Sequence, residues 1–153
     1  MSDLVVTLEA LFASEVLLAF VLAGLTATLV ACCVPGMIVP LSVSSGALLG
    51  GWEGAGVVTG GALAGSMALF LASRHLLQDR IRARWGNRLE KLERHVGKRG
   101  FFYVVGLRIV GVPHFLVTAG SALAGVRSRS FLAATLLGIL PIIALSSNAA
   151  TLF

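Results

Sequence analysis

Residues 34–65 read VPGMIVPLSVSSGALLGGWEGAGVVTGGALAG, as apolar as a membrane span yet interrupted by Pro35, Pro40 and a ladder of glycines. A second interrupted stretch, FFYVVGLRIVGVPHFLVTAGSALAG at residues 101–125, carries Arg108, Gly111, Pro113 and His114. In a bilayer every backbone N–H and C=O needs a partner, so broken backbone persists only inside protein or beside a wet cavity. Two such segments, one in each half of a small membrane protein, point to a transport site. The pattern predicts a chain that moves something across a membrane or handles it within one.

Composition agrees. The chain of 153 residues is 57% hydrophobic and 12% charged, with a mean hydropathy of +0.94. Soluble domains carry about 25% charged residues, so this is the profile of an integral membrane protein. The length fits a single domain, residues 1–153. A net charge of +5 and a pI near 10.3 raise the question of nucleic acid. The charges are placed otherwise: nine of the twelve Lys and Arg residues fall between Arg74 and Arg99, directly after an apolar stretch. The positive-inside rule accounts for such a block as a cytoplasmic segment, with no nucleic-acid partner. The N-terminus MSDLVVTLEALFASEV has no Lys or Arg, so its apolar segment reads as retained rather than as a signal peptide. Neither end carries a lipidation motif.

Organisation follows from the breaks. Leu4, Leu8, Leu11 and Phe12 recur at helical spacing, predicting a short interfacial helix over residues 3–15. Val16 to Val34 is a charge-free run of about 28 Å, one hydrocarbon core. Pro35 to Gly54 predicts a re-entrant hairpin, with SVSSG and Gly50-Gly51 offering the reversal. Gly56 to Ser73 forms the second span. The segment RHLLQDRIRARWGNRLEKLERHVGKRG then predicts a basic amphipathic helix on the cytoplasmic surface, with Arg74, Arg80, Arg82 and Arg84 facing the membrane. Phe101 to Gly125 is a second hairpin, flanked by basic residues at both ends. Phe131 to Phe153 is the last span, kinked at Pro141. The expected fold class is therefore all-α: a polytopic helical membrane protein with two oppositely oriented re-entrant hairpins and a basic cytoplasmic helix. The first hairpin enters from outside and the second from inside.

Arg108 is the most informative charge. Burying it in lipid costs about 2.5–3.5 kcal/mol on insertion scales, so it should face a polar interior. Its planar fork of donors suits a phosphate or carboxylate. The plainer alternative is an arginine that snorkels to the interface or bonds a freed carbonyl. Glu53, the only acidic residue between Glu15 and Asp79, would carry a proton or pair with Arg if it lay in a cavity. As part of GGWEG it equally reads as an exposed return, with Trp52 at headgroup level. His114, after Pro113, is placed to titrate or to bond a freed carbonyl. Gly46, Gly50 and Gly54, like Gly61 and Gly65, are four apart, a spacing that lets helix backbones approach closely. In the first set, including Gly51, turn geometry is an equal reason. Cys32-Cys33 could hold a soft metal ion, but adjacent helical residues point apart, and no metal signature accompanies them. No catalytic triad, P-loop or dinucleotide fingerprint is present, so the expectation is a non-enzyme without a cofactor.

The order of VP…SGALLGGWEGAG…GALAG…LFLASR, a basic loop, and GFFYVVGLRIVGVPHFLVTAGSALAG…FLAATLLGILP resembles the DedA and SNARE-associated Golgi superfamily, which carries the VTT domain. The resemblance runs from about Pro35 to Pro141. It implies a helical membrane protein with two oppositely entering hairpins, related to proteins that move phospholipids or polyprenyl phosphates between leaflets. On matching positions, Arg108 stands as the family's arginine before the Pro-rich break, and Arg74 closes the second span. Two departures stand out. The break reads Arg108-Ile-Val-Gly111-Val-Pro113-His114-Phe115 where relatives often place two prolines three apart. The acidic residues of bacterial relatives have only Glu53 as a counterpart.

The resulting expectation is a translocase of lipids or lipid phosphates in a bacterial inner membrane. Arg108, Gly111, Pro113, His114, Glu53 and Gly46 would bind the headgroup, and Pro35, Pro40, Gly50, Gly51 and Gly54 would shape the first hairpin. Partners would be membrane lipids, with a homo-oligomer allowed. The rivals are a soft-metal carrier or sensor through Cys32-Cys33 and a non-transporting membrane scaffold.

Overall fold

The computed structural model describes residues 2–34, 36–77, 83 and 99–149, and every regular element among them is helical. Pro35, Arg80, Arg82, Arg84 and nearly all of the expected basic amphipathic helix lie outside the described residues. The helices are α1 (Ser2–Ala31), α2 (Ile38–Leu49), α3 (Gly51–Ala72), α4 (Gly100–Ile109), α5 (His114–Leu123) and α6 (Ser128–Ala149). Residues Ser73–Leu77 form a π-helical turn at the end of α3.

Three segments are long and apolar enough to cross a bilayer: Ala13–Ala31, Gly51–Leu76 and Ser128–Ala149. The others are about half that length. With 12 residues in α2 and 10 each in α4 and α5, they reach about 15–18 Å at 1.5 Å per residue, too short for a core of about 30 Å. Large apolar side chains such as Leu17, Phe20, Phe102, Ile109 and Leu145 stand exposed around the outside, as a lipid-facing surface requires.

Close backbone approaches fix how the helices lie. A Cβ added at Gly61 would meet Ala23 and Thr26, and one at Gly65 would meet Ala27, so α1 and α3 run parallel. Gly54 lies against the backbone of Ser45 and Gly46, and Gly51 against Asn148. Thus α2 folds back along α3, and α6 runs antiparallel to α3. Phe70 of α3 stacks on Phe131 of α6 with ring centroids 4.5 Å apart. Gly46 touches the backbone of Ser147 on α6, which makes it a packing residue. Gly56 and Gly60 meet nothing within 4 Å, so only one face of the glycine ladder serves packing.

Several boundaries differ from the sequence expectation. The predicted interfacial helix over 3–15 is continuous with the first span. SVSSG does not reverse the chain but lies inside α2, its Ser42 and Ser45 hydroxyls bonded back to the carbonyls of Val39 and Ser42 at 2.9 and 3.0 Å. Ser45 also donates to the Gly54 carbonyl at 3.2 Å, tying α2 to α3. The reversal falls at Gly50 alone, whose φ of 95° needs a residue without a Cβ. Pro40 does not break a helix; it is the third residue of α2, where the missing N–H would have had no intrahelical partner. α6 continues through Pro141 to Ala149.

One device closes three other helices. Cys33, Gly111 and Gly125 have φ of 60°, 81° and 70°. In each case the following residue reaches back five positions: Val34 to Leu29, Val112 to Leu107 and Val126 to Ser121, all at 3.1 Å. The left-handed residue itself bonds three positions back, to Val30, Arg108 and Ala122. These are left-handed C-caps, normally built on glycine, and Cys33 occupies one of them.

Candidate functional site

The interior is layered. One apolar cluster gathers Phe70, Val104, Val117, Phe131 and Ala134; a second gathers Val30, Val58, Ala62, Ile139 and Ile143. Ser66 on α3 falls between Ala62 and Phe70, and Thr135 on α6 falls between Phe131 and Ile139. A polar layer one helical turn thick therefore lies between two apolar ones.

Arg108 fills that layer. It sits on the last turn of α4, which packs beside α6, and Gly138 gives its side chain room: a Cβ there would lie 2.8 Å from Arg108 Cδ. The guanidinium donates from Nη1 to His114 Nδ1 at 2.8 Å and from Nη2 to Thr135 Oγ1 at 3.0 Å. Its Cζ lies 5.9 Å from the centre of the Phe131 ring, near the outer limit of a cation–π contact. Arg108 Nε is buried with no hydrogen-bond partner. Of the carboxylates whose side chains are described, Glu15 lies on α1 and Glu53 on the first turn of α3, and neither balances the charge.

His114 is the first residue of α5, directly after the tip formed by Gly111, Val112 and Pro113. Its Nε2 lies 3.1 Å from Ser66 Oγ, and Ser66 donates to the Ala62 carbonyl at 2.6 Å. A guanidinium has donors only, so Nδ1 must accept from Arg108. The hydrogen-bonded chain therefore runs in one sense, from Arg108 through His114 and Ser66 to the Ala62 carbonyl.

A groove of about 410 Å³ opens beside this cluster. One side is the α1–α2 connection, with Cys33, Val34 and Gly36; the other is the α4–α5 tip, from Gly111 to Phe115. The α1–α2 connection and the α4–α5 tip thus meet at one place, which His114 reaches from the polar layer, whereas the Gly50 turn expected to reverse the first hairpin does not line it. The N-terminus of α5 has no side-chain cap, leaving its positive end at the groove.

Arg108, His114, Gly111 and Pro113 are brought together, whereas Glu53 and Gly46 are elsewhere. Glu53 is exposed in the first turn of α3 beside Trp52, which is 75% exposed. Thirteen residues separate Glu53 from Ser66 along α3, roughly 20 Å at 1.5 Å per residue. Gly111 acts through its positive φ rather than as a donor, because its N–H is already bonded to Arg108 O at 3.2 Å. Arg74 is partly exposed in the π-helical turn. Cys32 is exposed, and Cys33 Sγ turns to the Ala31 carbonyl at 3.6 Å. Among the described residues no group of three or more His, Cys, Asp or Glu could hold a metal ion. Ser66, Thr135 and Gly138 were not singled out as site residues from the sequence. The available signal was that each interrupts an apolar helix with a small or hydroxylated residue, but which face it takes depends on packing.

The long apolar helices define an integral helical membrane protein, and Arg108 places a buried cation in its interior. The chain belongs to the VTT-domain family, the domain of the DedA and SNARE-associated Golgi superfamily, whose family model matches residues 34–151. No curated protein and no solved structure matches it.

Proposed function

We propose that this protein moves phosphate-headed lipids between the two leaflets of a bilayer, without chemical conversion of the lipid. The carrying observation is Arg108: a cation in the interior of an apolar helix assembly, with no carboxylate partner among the described residues and a free Nε–H. A buried cation of this kind is stable only with compensation, and a phosphate held by the guanidinium supplies it through charge-assisted hydrogen bonds. The groove at the tip admits the headgroup, the uncapped start of α5 adds its dipole, and the acyl or prenyl chains remain in lipid.

In this reading α2 and the α4–α5 pair dip into the bilayer from opposite sides, and the basic segment from Arg74 to Arg99 faces the cytoplasm of a bacterial cell. The test is flux in reconstituted vesicles carrying labelled phospholipid or labelled polyprenyl phosphate. Wild-type protein should accelerate the equilibration of at least one of them, and Arg108→Ala should abolish the effect. Background rates for both lipids would overturn the reading and leave the scaffold as the better description.

A further inference from the structure

We infer that an anion bound at Arg108 brings one proton onto His114. This rests on the placement of the anion proposed above, and it adds a stoichiometry that the placement alone does not contain.

The argument is a count of donors. Arg108 Nη1 lies 2.8 Å from His114 Nδ1, and a guanidinium cannot accept, so Nδ1 presents a lone pair. At the other end Ser66 Oγ has its hydrogen committed to the Ala62 carbonyl at 2.6 Å. Facing Nε2 at 3.1 Å it can only accept, so Nε2 carries a hydrogen. The resting imidazole is therefore neutral with its proton on Nε2.

An anion that enters from the groove meets the imidazole of His114, which lines it, and comes to the guanidinium of Arg108 bonded behind that ring. An oxygen that displaces the direct Nη1–Nδ1 hydrogen bond and takes its place between the two groups needs a donor on both sides. Arg108 already supplies one. Nδ1 can supply the other only by gaining a hydrogen, and Nε2 cannot give up its own while Ser66 holds it. The ring must then become an imidazolium, with the added proton taken from the surrounding water. Without the anion the same proton would set two cations side by side, which the layer cannot support. Proton and anion therefore favour one another, as reciprocal linkage requires.

The surroundings leave few other candidates for this proton. Among the described residues, α4 presents Arg108 to the imidazole and α3 presents the hydroxyl of Ser66. α6 reaches the cluster through Thr135, and the α1–α2 connection brings Cys33 to the far side of the groove. Ser66 is a positioning residue in this scheme. It fixes the tautomer and touches no anion.

The experiment is calorimetric titration of the purified full chain with a short-chain phosphatidylglycerol, whose phosphodiester stays singly charged from about pH 5 to 8. Titrations in buffers of different ionisation enthalpy count the protons. Wild type should take up close to one proton per anion, and its affinity should fall by up to about tenfold per pH unit through the upper part of that range. His114→Asn should bind with no proton uptake and a flat pH profile. Ser66→Ala frees Nε2 to become the bare nitrogen, so uptake should fall well below one while binding persists. Wild-type binding without proton uptake would overturn the linkage and leave the anion site standing. Absence of binding at every pH would overturn both, and the wild-type proton count needs no variant to fold.

Discussion

Gly138 and Arg108 fit together as a notch and the side chain that fills it. A Cβ on Gly138 would lie 2.8 Å from Arg108 Cδ and 3.0 Å from its Cβ. Gly138→Ala should therefore push Arg108 off Thr135 and lower lipid flux, with an overpacking cost of about 1–3 kcal/mol. Adding Arg108→Ala to Gly138→Ala should recover much of the lost thermal stability without recovering flux. Additive effects in a double-mutant cycle would show that the two residues do not share the notch.

Arg108→Lys keeps the charge and loses the planar fork. Lys can satisfy His114 or Thr135, but it cannot serve both of them and a phosphate from one planar set of donors. Flux should fall at least about tenfold, corresponding to roughly 1.4 kcal/mol. Flux near wild type with lysine would mean that a point charge suffices and that the planar fork is not needed.

Neighbouring glycines on α3 should respond in opposite directions. Gly60 meets nothing within 4 Å, so Gly60→Ala removes only backbone freedom and should stabilise by up to about 1 kcal/mol. Gly61 lies against Ala23 and Thr26 of α1, so Gly61→Ala forces the helices apart and should destabilise. Melting of both variants in the same detergent decides it, and the same sign for both would refute the assigned face.

Cys33 holds a φ of 60° in a position that glycine normally fills. Cys33→Gly should relieve left-handed strain of about 1 kcal/mol, offset in part by the greater freedom of glycine in the unfolded chain. A small rise in melting temperature is expected, whereas Cys33→Val should lower it. A melting temperature lowered by glycine would mean that the thiol itself matters at this turn.

The spans were legible because charge-free runs of bilayer length have few other uses, and Arg108 was legible because an arginine inside one is costly. The half-length of α2 was less so. Pro40 suggested a broken backbone, yet a proline in a first turn initiates a helix as readily as it ends one. Glu53 looked functional only through its isolation in the sequence; the Gly50 turn carries it to the exposed end of α3. Gly46 and Gly111 were expected at the headgroup site, but one packs against Ser147 and the N–H of the other is satisfied within its own cap. Ser66 and Thr135 carried no chemical signal of their own. Their importance comes from lying at one level on two antiparallel helices, and that level is set by pairs such as Phe70 with Phe131.

The left-handed C-caps have a consequence for leakiness. At the Val34, Val112 and Val126 closures the freed carbonyls are met by the chain itself, so those turns make little demand for water as a hydrogen-bond partner. Arg108 and His114 form one buried polar level, and the apolar layers on either side of it act as insulation. A vesicle containing the resting protein should therefore hold a proton or potassium gradient nearly as long as a protein-free one. Dye-reported gradient decay would measure how well the resting protein is sealed.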